Sequence, residues 1–199
     1  IPGWDNFVDF AGLDQIFVTS VTKERNKDAV GLSLTELGKL RGKDAYNATF
    51  DLLEDEENAV GMVDFYGTEE HVQLFMKRPE MNACTDGLLG GKPHPRVYGA
   101  FPRILGKYVR EDKALSLEEA IYKMTKKPAT TFNMVGRGEL VEGNVADITI
   151  FNPDTLIERG TFVDPVRFPE GIIRVIVNGV VAIENEKLTG NRGGKVLRK

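Results

Sequence analysis

The pattern of apolar and polar positions predicts strands alternating with helices along residues 15–135. Residues 15–21 form a short apolar, β-branched run between charged and turn-prone residues, which predicts a buried strand. Ser33 and Glu36 have the spacing of a capping box and precede leucines at helical spacing, so a helix begins there. Another helix is predicted from Asp44, and the acidic run at residues 54–57 is typical of its solvent-exposed end.

Further elements of the same kind precede residue 86. A strand is predicted at 59–65, a helix at 68–77 and a short strand at 81–85. On this helix Val72, Phe75 and Met76 recur at the spacing of an inward face. Strands and helices that alternate at this spacing favour parallel β/α units over a sandwich.

A Gly- and Pro-rich loop at residues 87–102 follows the strand at 81–85, and loops at strand ends commonly carry function. A helical stretch is predicted from Phe101 to Arg110. Ser116 then opens a second capping box, so we expect another helix after it.

After residue 135 the pattern changes to that of a β module. Strands are predicted at 146–151 and 172–177, and Asn178-Gly179 is a strong hairpin signal before a strand at 180–184. We therefore predict two domains, residues 1–135 and residues 136–199.

Composition narrows the classes of function. The 199 residues carry a formal net charge of -4 with both signs interspersed, so no basic stripe exists for nucleic acid. No apolar run reaches the roughly 20 residues of a membrane helix, and the start of the chain lacks the build of a signal peptide. We expect a soluble, cytoplasmic protein that binds neither nucleic acid nor membrane. The chain begins at Ile1, which suggests a fragment, a processed chain or a truncated form.

Asp86 is the first candidate for chemistry, since it follows the strand predicted at 81–85 and precedes Gly87. In α/β barrels, catalytic side chains gather at the carboxyl ends of strands. The alternative is that Asp86 only caps a turn. Cys84, the single cysteine, is predicted to be a packed core thiol.

Prolines flank the next candidates, His94 and Arg96, within about ten residues of Asp86. An arginine offers a planar fork suited to a carboxylate, although a salt bridge that braces the loop is the alternative. His94 shapes a site or only pins its loop by a hydrogen bond. Ser20 ends the first predicted strand, where a local cap is the alternative. His71 and His94, the only histidines, are too few for a catalytic metal site.

An ordered set of motifs resembles N-acyl-D-amino-acid deacylases of the amidohydrolase superfamily. The match begins with Thr85-Asp86-Gly87, His94-Pro95-Arg96, Tyr98-Gly99, Phe101-Pro102-Arg103, Leu105-Gly106 and Tyr108-Val109-Arg110-Glu111. The stretch from His94-Pro95-Arg96 to Phe101-Pro102-Arg103 is its more specific part. The match continues through Arg137-Gly138-Glu139-Leu140, Ala146-Asp147 and Val177-Asn178-Gly179, a set that many amidohydrolases share. The resemblance covers nearly the whole chain.

The resemblance implies an α/β fold. Residues 1–135 would be the last strand/helix units of a TIM-like (β/α) barrel, and residues 136–199 the C-terminal strands of a small β-sandwich domain. The parent enzyme would use zinc, whose ligands are mostly absent from this chain, to hydrolyse N-acyl-D-amino acids. This chain would be an inactive C-terminal fragment that forms a homo-oligomer or docks with the missing N-terminal half, since a truncated barrel exposes a strand edge.

The resemblance also implies roles for single residues. Asp86 would be the catalytic acid/base, and Arg96 would bind the α-carboxylate of the substrate. His94 would shape the substrate loop without binding metal, and Ser20 is a weaker candidate for a carboxylate contact. Two alternatives stay open, a cyclic-amide hydrolase of the hydantoinase or dihydroorotase type and a non-catalytic interaction module.

Overall fold

The computed structural model describes residues 5–89 and 93–197, which divide into two compact units. The first unit contains residues 5–68, 87–89, 93–94 and 162–165, and the second contains 69–86, 95–161 and 166–197. The elements of the first unit are α1 (Phe7–Ala11), β1 (Ile16–Ser20), a 3₁₀ helix (Glu24–Ala29), α2 (Leu34–Arg41), α3 (Ala45–Asp55) and β2 (Gly61–Asp64).

Local signals place the first elements correctly. The capping box forms at α2, where the Ser33 side chain accepts from the Glu36 amide and the Glu36 carboxylate accepts from the Ser33 amide. Asp44 caps α3 by accepting from the Asn47 amide. The two helices and β1 enclose a core of Ile16, Val18, Ala29, Leu34, Leu37, Ala48 and Leu52.

The direction of β2 differs from the prediction. Ile16 lies opposite Asp64 and Val18 opposite Met62, so β1 and β2 form an antiparallel pair. The predicted parallel arrangement is therefore wrong for these strands. Alternation along the sequence shows which segments are extended, whereas the direction of pairing depends on the path of the chain through α2 and α3.

Glu56 also departs from its prediction. Its side chain is only 1% exposed and accepts hydrogen bonds from the Thr22 amide at 2.6 Å and from Asn26 Nδ2 at 2.6 Å. The acidic run at the end of α3 is therefore not wholly solvated. The donors come from the loop after β1 and from the 3₁₀ helix that follows it, so the sequence near Glu56 carries no sign of this burial.

The second unit combines helices with an antiparallel sheet. Its elements are α4 (Glu69–Met76), α5 (Arg96–Arg103), a π-helix (Ile104–Glu111), α6 (Leu117–Met124), α7 (Lys126–Thr131), β3 (Ile148–Phe151), β4 (Ile172–Val177), β5 (Val180–Glu184) and β6 (Lys187–Leu188). Its core consists of Met76, Ala83, Ile104, Leu105, Tyr108, Leu115, Ala120 and Leu156.

The predicted α4 is present, but only part of its predicted inward face is buried. Met76 belongs to the core, whereas Val72 is 39% and Phe75 is 66% exposed. The prediction of an inward Val72 and Phe75 is therefore wrong.

The strand predicted at residues 81–85 is not formed. The Ala83 amide donates to the Lys123 carbonyl at 3.0 Å, but no strand among residues 5–89 and 93–197 pairs with this segment. A strand needs a ladder of hydrogen bonds with a neighbour, so the apolar sequence alone is not sufficient. Cys84, predicted to be a core thiol, is exposed.

The helix after the loop begins earlier than predicted, at Arg96, so the prediction of a loop up to residue 102 is wrong. Pro102 lies inside the helix and has no amide to donate, and the helix continues as a π-helix from Ile104. The capping box at Ser116 is confirmed in part, since its side chain accepts from the Glu119 amide. The sequence did not predict α7.

The C-terminal sheet has the order β3-β4-β5-β6 with every neighbouring pair antiparallel. The hairpin prediction is confirmed, because Asn178 and Gly179 have φ values of 49° and 78°, both positive as a type I′ turn requires. No helix within residues 5–89 and 93–197 is long and apolar enough to span a membrane.

Candidate active site

Asp86 and Arg96, two of the predicted site residues, lie together in the second unit. Arg96 Nε is 3.1 Å from Asp86 Oδ1, and the side chains are 44% and 82% exposed, respectively. The Thr85 hydroxyl donates to the Arg96 carbonyl at 3.4 Å, a second contact between the two segments. Exposed ion pairs contribute about 0–1 kcal/mol to stability, so this pair adds little to the stability of the fold. Both groups are accessible to a small molecule.

The chain before Asp86 is held by a buried lysine on α6. The Lys123 side chain, 4% exposed, donates to the Met76 carbonyl at 2.5 Å and to the Arg78 carbonyl at 2.7 Å. These carbonyls lie at and just after the C-terminus of α4, where a cation is favourable. The Ala83 amide also donates a hydrogen bond to the Lys123 carbonyl. Together these contacts anchor the start of the segment that carries Asp86.

Arg96 takes its position from the helix that it begins. Farther along this helix, Arg103 pairs with Glu69 at 2.8 Å and with Glu158. Tyr108 is buried and its hydroxyl donates to Glu69 at 2.6 Å. The Arg103 guanidinium therefore lies at the centre of a network that contains two carboxylates, Glu69 and Glu158.

The network has opposite effects on its two carboxyl groups. Burial raises the pKa of Glu158, and pairing with Arg103 opposes this shift only in part. Burial also tends to raise the pKa of Glu69, but the hydrogen bonds from Tyr108 and Arg103 outweigh it and lower that pKa. The sequence motif Phe101-Pro102-Arg103 pointed to this region, whereas nothing in the sequence singled out Glu158.

His94 and Ser20 belong to the first unit. The His94 ring packs edge-on against Phe162 with 4.9 Å between ring centroids, and Phe162 packs on Phe65 at 4.6 Å. Ser20 ends β1 opposite Gly61, where an added Cβ would meet Thr19 Oγ1 at 2.8 Å and the Ser20 hydroxyl closer still. A glycine at position 61 thus gives the Ser20 side chain its room.

The described residues do not fit a metal site. Within residues 5–89 and 93–197, no group of three or more histidine, cysteine, aspartate or glutamate side chains is arranged to hold a metal ion. His71 lies on α4 in the second unit and His94 in the first.

Comparison with known proteins places these observations in a family. Residues 83–183 match the model of the Amidohydrolase family. The chain is 35% identical over 170 residues to a D-aminoacylase from Alcaligenes xylosoxydans xylosoxydans. The aligned region covers 85% of this chain and 34% of that protein. The chain thus spans about a third of the length of this curated relative.

Two solved structures are similar in sequence and in fold. A D-aminoacylase, studied for its binuclear metal centre, has a TM-score of 0.84 and 32% identity over 92% of this chain and 38% of its own. An N-acyl-D-glutamate deacylase from Bordetella bronchiseptica, complexed with zinc and a phosphonate inhibitor, has a TM-score of 0.80 and 32% identity over 89% of this chain and 36% of its own. These matches confirm the resemblance inferred from the motifs between Thr85 and Glu111. The chain therefore belongs to the amidohydrolase family and, within it, resembles the N-acyl-D-amino-acid deacylases.

Proposed function

We propose that this chain is part of a longer enzyme that hydrolyses the amide bond of N-acyl-D-amino acids, with Asp86 and Arg96 in its active site. The observation that carries this proposal is the accessible pair of Asp86 and Arg96, 3.1 Å apart, in a chain of the amidohydrolase family. The relatives that act on N-acyl-D-amino acids support the substrate class.

Asp86 is the proton-transfer residue of this proposal. Hydrolysis adds water to the amide carbon, moves a proton to the nitrogen and breaks the carbon–nitrogen bond. Asp86 accepts the proton of the attacking water and delivers it to the departing amine, which leaves as the D-amino acid. A largely exposed carboxylate is accessible to both water and substrate.

Arg96 is the carboxylate-binding residue. Its guanidinium presents a planar fork that suits the α-carboxylate of the substrate. In the absence of substrate Arg96 contacts Asp86 through Nε. The substrate carboxylate therefore replaces Asp86 as the partner of Arg96, and Asp86 becomes available to accept a proton.

The metal requirement belongs to the longer enzyme. Metal centres in the solved relatives support metal-dependent hydrolysis, with zinc as the candidate metal. Since residues 5–89 and 93–197 do not assemble a metal site, its ligands would lie mostly outside them, and this chain alone would be inactive. The steps assigned to Asp86 and Arg96 concern this chain's own side chains.

The remaining assignments are part of the same proposal. Residues 1–135 would complete a TIM-like barrel and residues 136–199 would contribute to a β-sandwich domain. His94 would shape the substrate loop, as its packing against Phe162 allows, and Ser20 would contact the substrate carboxylate. A homo-oligomer or the remainder of the enzyme would cover the barrel edge.

Two variants of the complete enzyme test the proposal. Arg96→Ala removes a charge-assisted hydrogen bond of about 1.5–3 kcal/mol, so KM for an N-acetyl-D-amino acid is expected to rise about 10- to 100-fold. The same variant should leave hydrolysis of the matching N-acetyl-D-amino amide nearly unchanged, because that substrate has no carboxylate. Asp86→Asn should abolish turnover of both substrates while the circular dichroism spectrum stays that of the wild type.

Arg78→Ala is the matched control, since Arg78 is an exposed arginine of the same unit and pairs with Glu80 at 3.4 Å. It should keep wild-type KM and kcat. If Arg96→Ala behaves like Arg78→Ala, the carboxylate assignment is wrong. Faster hydrolysis of a hydantoin or of dihydroorotate than of any N-acetyl-D-amino acid would favour the cyclic-amide alternative. A complete, metal-loaded protein inactive on all of these substrates would favour a non-catalytic module.

A further inference from the structure

One face of the helix that begins at Arg96 packs against the segment at residues 153–158. The residues on this face are Gly99, Arg103, Gly106 and Arg110, which follow one another at intervals of three or four positions. Residues at such intervals lie on one side of a helix. Arg96, three positions before Gly99, continues the same stripe.

Two glycines allow the backbone of the helix to approach closely. A Cβ on Gly99 would lie 2.8 Å from Glu158 Cβ, and one on Gly106 would lie 2.6 Å from the Leu156 carbonyl oxygen. Both distances are shorter than side chains normally tolerate. The helix therefore has little freedom to rotate or to slide along this segment without a clash.

Two arginines of the stripe bind the same segment. Arg110 donates to the Leu156 carbonyl at 2.6 Å and to the Pro153 carbonyl at 3.1 Å. Arg103 pairs with Glu158, whose side chain is only 16% exposed. Leu156 itself belongs to the core of the second unit. The polar contacts and the close approach at the glycines thus fix the helix against this segment along the length from Gly99 to Arg110.

We propose that this contact is a clamp that positions Arg96, with Glu158 as a positioning residue for binding of the substrate carboxylate. The inference rests on the proposed function, in which Arg96 binds that carboxylate. Gly99 lies less than one helical turn from Arg96, about 4.5 Å along the axis. A shift of the helix at Gly99 therefore moves Arg96 and changes its 3.1 Å contact with Asp86.

Stability alone does not explain a carboxylate at position 158. Burial raises the pKa of Glu158, and pairing with Arg103 opposes this shift only in part. Replacing a buried ion pair by apolar residues is often neutral or stabilising, whereas the pair imposes one geometry on its partners. A positioning role accounts for such a pair between a site helix and the segment before β4.

Steady-state kinetics of Glu158→Gln in the complete enzyme tests the clamp. The amide preserves the size of the side chain but weakens its bond to Arg103. Since misplacement of about 1 Å can cost up to about 100-fold, we expect KM for N-acetyl-D-amino acids to rise about tenfold or more. KM for the matching N-acetyl-D-amino amide should change less than about twofold, because that substrate does not use Arg96. Gly99→Ala should show the same selectivity.

A double-mutant cycle separates positioning from a general loss of structure. In the Arg96→Ala background, Glu158→Gln should have no further effect on KM, because Glu158 acts through Arg96. Asp147→Asn is the matched control, since Asp147 pairs with Arg137 in the same unit. It should lower the thermal midpoint while both KM values stay at the wild-type level. Additive effects of Arg96→Ala and Glu158→Gln would overturn the clamp.

Failure of the clamp is distinguishable from failure of the proposed function. If Arg96→Ala raises KM and Glu158→Gln does not, the function stands and the clamp is wrong. If the wild type does not hydrolyse N-acyl-D-amino acids, the function is wrong, and a crystal structure of Glu158→Gln still tests the clamp. Arg96 displaced from Asp86 would support the clamp, and an unchanged 3.1 Å contact would overturn it.

Discussion

Replacing Lys123 by methionine removes a buried cation from the second unit and leaves an apolar side chain of similar length. In the wild type the ammonium donates to the Met76 and Arg78 carbonyls at 2.5 and 2.7 Å and lies 3.1 Å from Glu119. Lys123→Met leaves both carbonyls without this donor, at the point where the chain turns toward Asp86.

The magnitude follows from these contacts. Hydrogen bonds to a charged group contribute about 1.5–3 kcal/mol each, so the two carbonyls together account for about 3–6 kcal/mol. Release of the cost of burying the ammonium, and packing of the methionine along the path of the lysine stem, offset part of this loss. The partly exposed contact with Glu119 adds at most about 1 kcal/mol. We expect Lys123→Met to lower the free energy of unfolding by about 2–4 kcal/mol.

Urea unfolding followed by circular dichroism measures this change. The slope of the free energy of unfolding against urea concentration shows whether the variant and the wild type unfold in the same way. Lys126→Met is the matched control, because Lys126 pairs with Glu139 at the surface and should cost less than about 1 kcal/mol. Hydrogen exchange at the Ala83 amide should also accelerate in Lys123→Met, since that amide bonds to the Lys123 carbonyl. A Lys123→Met chain as stable as Lys126→Met would refute the reasoning.

Other predictions concern the first unit. Gly61→Ala places a Cβ against the Ser20 hydroxyl and 2.8 Å from Thr19 Oγ1, so we expect a lower thermal midpoint. An unchanged midpoint would show that β1 shifts to accommodate the methyl group without loss of stability. Burial tends to raise the pKa of Glu56, but hydrogen bonds from Asn26 and Thr22 outweigh it and lower that pKa from 4.5 to about 2. The stability due to Glu56 is therefore present above pH 4.5 and lost as the pH falls toward 2. Over this range the thermal midpoint of Glu56→Gln should depend less on pH than that of the wild type. Equal slopes of the thermal midpoint against pH would contradict this expectation.

Much of the candidate site could be predicted because its signals are short in sequence. The two prolines around His94 indicate a restricted backbone, and Gly87 beside Asp86 indicates an accessible carboxylate. Both signals lie within one short stretch. The structure brings Asp86 and Arg96 into contact there. Glu158 could not be found in this way, because its partner Arg103 lies 55 positions away and the residues around Glu158 form no motif.

The sequence by itself determined the features that depend on neighbouring residues. The capping box at Ser33, the N-cap at Ser116 and the turn at Asn178-Gly179 depend on hydrogen bonds and backbone angles within a few positions. The box at Ser33 and the turn form as predicted, and the box at Ser116 is confirmed in part. Tertiary structure alone decided the antiparallel direction of β1 and β2 and the burial of Glu56 and Lys123. Each of these depends on which distant backbone or side-chain groups meet the residue, because pairing direction and the satisfaction of a buried charge are properties of two segments and not of one.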